Sequence, residues 1–124
     1  MSYKDLQEVR SCYATLRELV IHHNGGWDDL ESRTKVARLC QAGIAALDDA
    51  ECRERLRAVQ AQAAELFSAE GHRKWARTNL SGADYLRLQI LIALEAVNTR
   101  LFFIDTLRSR AALQDPGESL VPLA

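Results

Sequence analysis

Proline is nearly missing from this chain: the only two, Pro116 and Pro122, lie near its end. Nothing ahead of them therefore interrupts a helix by ring clash or a lost backbone donor. Glycine is scarce too, and the doublet Gly25-Gly26 precedes no Lys-Ser/Thr pair, which excludes a phosphate-binding loop. The three cysteines, Cys12, Cys40 and Cys52, are odd in number and widely spaced with no CxxC. A disulfide framework or a Cys/His zinc site is thereby disfavoured, and reduced thiols in a cytoplasmic protein are the simplest expectation. A formal charge of −1 lacks the basic excess of a general nucleic-acid binder, so no nucleic-acid partner is expected. Lys4, Asp5, Glu8 and Arg10 interrupt the start before an apolar run develops, so no secretory signal is expected there. The greasiest stretch is broken by Arg87, Gln89, Glu95, Asn98 and Arg100, which argues against a membrane span.

What is present is helical. Ala, Leu, Arg, Glu and Gln dominate a chain of 124 residues that is 48% hydrophobic and 27% charged. That length and balance suit one domain with a core of its own. The expected fold is an all-α, antiparallel four-helix bundle with a long, highly apolar C-terminal helix, occupying residues 1–113. Residues 114–124 are expected to form a flexible tail. The first helix runs from about Tyr3 to His23 with Leu6, Val9, Tyr13, Leu16 and Val20 in a heptad-like seam. Asn24-Gly25-Gly26 supplies its stop. Asp28 with Glu31 reads as a capping box for the second helix, whose buried face is expected to hold Leu30, Ala37, Cys40, Ile44 and Leu47. The small residues Ala42-Gly43 and Ala45-Ala46 would let a neighbour approach closely.

Asp48 with Glu51 repeats the box and starts a third helix through Leu56, Val59, Ala63, Leu66 and Phe67, stopping near Gly71. His72–Leu80 has no convincing period. Ser81 with Asp84 then starts the last helix, expected to reach about Leu113. Residues set at 100° intervals give that helix two apolar seams. Leu86, Ile90, Ala93, Leu94, Val97, Leu101 and Ile104 form a broad stripe suited to a core. Leu88, Leu91 and Phe102 form a second line, together with the polar Glu95 and Asn98. A helix with two seams needs two neighbours. This second line is the expected partner-binding surface, and its simplest occupant is a second copy of the chain, as a homodimer, or another helical protein.

Chemistry is thinly represented. No catalytic residue, cofactor or metal site is expected. Glu18 and His22 share a helix face, but a carboxylate-bridged di-iron bundle needs paired Glu-x-x-His motifs that the chain lacks. The competing function is a ligand- or metal-binding bundle, conceivably an enzyme, with an inter-helix site near Glu18, His22, Glu95 and Asn98. Arg73, Lys74 and Arg77 around Trp75 form a secondary candidate for an anion or an acidic partner.

Two resemblances rest on particular residues. His72 followed by Gly82-Ala83 looks like the phosphotransfer domains of two-component signalling, but Arg73-Lys74-Trp75-Ala76 stand where those domains carry small residues. From Tyr13 to Leu66, a first helix ending in Gly25-Gly26-Trp27-Asp28-Asp29-Leu30, a long second helix and an Arg/Leu-rich third are similar to flagellar export chaperones of the FliT type. That likeness implies a small helical bundle that binds secreted subunits or regulators through its helices. It does not extend to the apolar last helix.

Overall fold

The computed structural model describes residues 3–22, 29–75 and 82–114. All secondary structure among them is helical: α1 (Tyr3–His22), α2 (Leu30–Ala46), α3 (Ala50–Leu66), α4 (Ala69–Trp75) and α5 (Gly82–Gln114). The four long helices pack in a ring in which α1 touches α2 and α5, while α3 touches α2 and α5. Cross-helix contacts fix the directions. Gln41 bonds Gln60 and Arg53 bonds the Ile44 carbonyl, so α3 runs back along α2. Arg10 pairs with Asp105, and Arg87 reaches the Val20 carbonyl, so α5 runs antiparallel to α1.

The core follows the helical period. Leu6, Val9, Leu16 and Val20 of α1, Leu56, Val59, Ala63 and Leu66 of α3, and Leu86, Ile90, Leu94, Val97, Leu101 and Ile104 of α5 belong to one buried cluster, all at 0–6% exposure. On α2 the buried face differs from expectation. Cys40 and Leu47 are buried as expected, but Leu30 is exposed, Ala37 and Ile44 are only partly covered, and Val36 and Gly43 are buried instead. Gly43 is the point of close approach: a Cβ there would lie 3.0 Å from the Leu56 side chain and 3.9 Å from Cys12. That contact decides which face of α2 turns inward, and it leaves Leu30 in solvent at the first turn.

The caps shift by one residue. Asp29, not Asp28, caps α2, accepting from the Ser32 amide at 3.0 Å and from the Ser32 hydroxyl at 2.6 Å. Its own amide donates to the Phe67 carbonyl at 2.9 Å, tying the start of α2 to the end of α3. Asp49, not Asp48, caps α3 through the Cys52 amide at 2.8 Å. Asp48 instead faces water and pairs with Arg53 at 3.3 Å. Each capping carboxylate has a partner beyond the helix amide, the Ser32 hydroxyl for Asp29 and Arg100 for Asp49, while Asp28 lies outside the described residues. Ser81, the expected cap of the last helix, lies outside the described residues, as do Asn24-Gly25-Gly26 and the tail beyond Gln114.

The third helix does not stop near Gly71. It ends at Leu66, and a further seven-residue helix, α4, follows. Ser68 makes this corner: its hydroxyl donates to the Glu65 carbonyl at 3.1 Å and accepts from the Gly71 amide at 3.0 Å. Phe67 is fully buried beneath it. A Cβ on Gly71 would sit 2.1 Å from the Glu65 carbonyl oxygen, so only hydrogen fits. Two turns are too short to show a period, which is why α4 escapes pattern reading.

Candidate interaction surface

α5 is the longest element, at 33 residues. Its inner stripe is buried as expected: Leu86, Ile90, Leu94, Val97, Leu101 and Ile104 all belong to the core, with Ala93 partly covered beside them. Its two edges are fastened by charged and polar side chains. On the α1 side, Arg10 pairs with Asp105 at 3.0 Å, and Tyr13 donates to Glu95 at 2.5 Å. Arg87 donates to the Val20 carbonyl at 3.1 Å and pairs with Asp84 at 2.8 Å. Burial first, and the bond to Glu95 second, push the Tyr13 phenol up to about 12, so it remains a donor.

On the α3 side the fastening centres on Arg100. Arg100 grips Asp49 with a two-pronged fork, at 3.0 and 2.8 Å, and reaches Glu51 at 3.0 Å. Its guanidinium also lies 5.1 Å from the centre of the Phe103 ring. Glu51 in turn pairs with Arg55 at 2.9 Å. The Arg100 bond holds the Asp49 carboxyl below its ordinary range, although burial opposes it. One arginine therefore locks the middle of α5 to the cap of α3. Two open grooves flank it, one of about 340 Å³ beside Ala96, Thr99 and Phe103, the other of about 380 Å³ beside Ile104 and Leu107. Among the charged groups lining them, Asp49, Glu51, Arg55 and Arg100 are engaged with one another.

Between the two edges, the outer face of α5 is apolar and open. Leu88, Ile92, Phe102, Phe103 and Leu107 are each 47–69% exposed. Of the five residues expected to bind a partner, Leu88, Glu95, Asn98 and Phe102 lie on the exposed side, while Leu91 is partly covered against the core. Ile92, Phe103 and Leu107 were not anticipated as surface. For Ile92 the missed signal is a strict alternation of three and four through Tyr85, Leu88, Ile92, Glu95, Thr99, Phe102 and Thr106, while Phe103 and Leu107 stand one residue off that line on the α3 side. Leu91 stands one residue off that line, on the α1 side.

The other candidate residues do not assemble into a site. Glu18 and His22 pair with each other at 3.0 Å on an exposed turn of α1. Among the described residues, no group of three His, Cys, Asp or Glu is placed to hold a metal ion. Cys12, Cys40 and Cys52 are buried and free. Burial is the main cause that raises their thiols, to about 12 for Cys40 and about 11 for Cys52, which is the setting of inert rather than nucleophilic sulfur. Arg73 is exposed on α4, but the side chains of Lys74 and Trp75, and all of Arg77, lie outside the described residues. So does the Gly25–Asp28 stretch that carries the likeness to export chaperones. No helix among the described residues is long and apolar enough to cross a membrane. No family model matches the chain, and neither a curated protein nor a solved structure does.

Proposed function

We propose that this chain is a protein-interaction module, an adaptor or chaperone-like helical bundle of the cytoplasm, whose contact surface is the outer face of α5. The observation that carries this reading is the cluster of five large apolar side chains left about half exposed on one helix face while the opposite face fills the core. An exposed apolar patch of that extent marks a contact surface more often than it decorates a free one. A straight strip with heptad spacing is matched best by another helix, so the partner presents an amphipathic helix. The free, buried cysteines fit a reducing compartment.

The test is co-purification with the full chain as bait, beside an Ile92→Glu/Phe102→Glu variant. Helical partners, including an untagged copy of the chain, are expected to associate with the wild type and to be lost from the variant. Thermal unfolding of the variant, measured on dilute protein, stays near that of the wild type, because both side chains already face water. A wild type that binds nothing, or a folded variant that keeps every partner, overturns the reading.

A further inference from the structure

We infer that the outer face of α5 binds a second copy of itself in the antiparallel direction, about a two-fold axis near Val97. The inference rests on the interaction reading above and specifies its occupant and register. The outward seam has a self-complementary order. When two copies run in opposite directions about that axis, Ile92 of each meets Phe102 of the other, and Leu88 meets Thr106. Glu95 meets Thr99, whose hydroxyl can donate to the carboxylate. Asn98, exposed at the edge of the seam, lies beside its own counterpart, where two amides can exchange hydrogen bonds.

Charge decides between directions. Along the outer face, the exposed acids Asp84, paired with Arg87 at 2.8 Å, and Glu95, 3.9 Å from Arg17, lie in the N-terminal half, and the exposed base Arg110 lies in the C-terminal half. A parallel, in-register pair would set Glu95 against Glu95 at the middle of the seam, a like-charge contact that the half-exposed Arg17 of α1, 3.9 Å from each Glu95, offsets only weakly. The antiparallel pair removes that clash and brings the acidic end of each helix toward the basic end of the other. The helix dipoles then also oppose. Size is adequate. The five half-exposed side chains offer roughly 500 Å² of apolar surface per copy, and the polar flank brings this toward the roughly 800 Å² per partner of a standard interface.

Sedimentation at tens of micromolar, combined with spin-label distances in a full-length Ser109→Cys chain, tests this. Ser109 is exposed, whereas the native thiols are buried, so the label goes to the introduced cysteine. A dimer with labels about 36 Å apart along the axis is expected, from twenty-four residues of offset at about 1.5 Å each. Ile92→Glu/Phe102→Glu is expected to weaken the dimer at least about a hundredfold while the helical content is retained. Labels within about 20 Å would mean a parallel pair, which overturns the register and leaves the surface standing. A monomer at these concentrations overturns the second copy as occupant. Failure of the interaction reading is separate, because it requires that no other protein be lost with the double variant. Should the double variant unfold, Leu88→Gln alone is read in its place: a dimer as tight as that of the wild type overturns the inference.

Discussion

The two faces of α5 follow nearly the same rhythm of apolar residues and meet opposite fates. On the inner face, Ile90, Leu94, Val97 and Leu101 are fully buried among α1 and α3. On the outer face, Leu88, Ile92 and Phe102 are more than half exposed. Apolar chemistry alone does not separate them, since leucine and isoleucine occur on both sides. The difference lies in the residues between the faces. Asp105 and Arg87 on one edge, and Arg100 on the other, make directed bonds that only one rotation of the helix satisfies. Hydrophobic burial favours the unbroken inner stripe over an outer line interrupted by Glu95 and Thr99, but it is non-directional and does not fix the rotation. The polar edges fix it.

The comparison can be broken most directly at the core. Leu94→Ala is expected to cost about 3 kcal/mol in urea unfolding, because it empties a filled interior. Phe102→Ala, on dilute protein where self-association is absent, should change stability by no more than about 0.5 kcal/mol. Equal losses at the two positions would show that the outer face is packed after all.

The edges come next. Asp49→Ala removes the α3 cap and the Arg100 fork together and should cost about 2 kcal/mol, whereas Asp49→Asn retains a capping oxygen and should cost less. The same group sets an acid limb. Its carboxyl is lowered in the folded chain, so the unfolded chain takes up its proton first. The stability it contributes is complete above about pH 4 and is lost as pH falls through the lowered folded value. Acid titration of unfolding should therefore be steeper below pH 4 for the wild type than for Asp49→Asn, and identical limbs would remove Arg100 as the lock. The smallest effect is expected at Tyr13→Phe, which deletes the bond to Glu95 on the partly exposed α1 edge. A loss within about 0.5 kcal/mol in the same assay is expected, and a larger one would make that edge a second lock.

Much of this architecture was legible from residue order. The α1 seam, the α3 core positions and the inner stripe of α5 were read correctly because each repeats over several turns, and repetition outweighs any single misplaced residue. Errors fell where one residue or one contact decides. Both acidic doublets offered two equally good caps, and the carboxylates that cap are those also bonded to Ser32 and to the distant Arg100. Leu30 looked buried by its type, but the rotation of α2 is set by Gly43 against Leu56. The short α4 rests on a serine hydroxyl and on a glycine packed against a carbonyl, neither of which leaves a period. On the outer face, the spacing places Leu88, Glu95 and Phe102 outward, as they stand, but it points to Leu91 where the helix rotation exposes its neighbour Ile92.

The sequence by itself determined that this protein is helical, where most of the long helices begin and end, and that the last of them carries more apolar surface than one neighbour can cover. Those properties follow from local propensity and period, which are written in consecutive residues. Residue order already marked the broad stripe of α5 as the inward one; only the tertiary structure decided the rotation that leaves Ile92, Phe103 and Leu107 open as well. That choice depends on bonds between residues far apart in the chain, Arg100 with Asp49 and Arg10 with Asp105, which exist only once the helices have met.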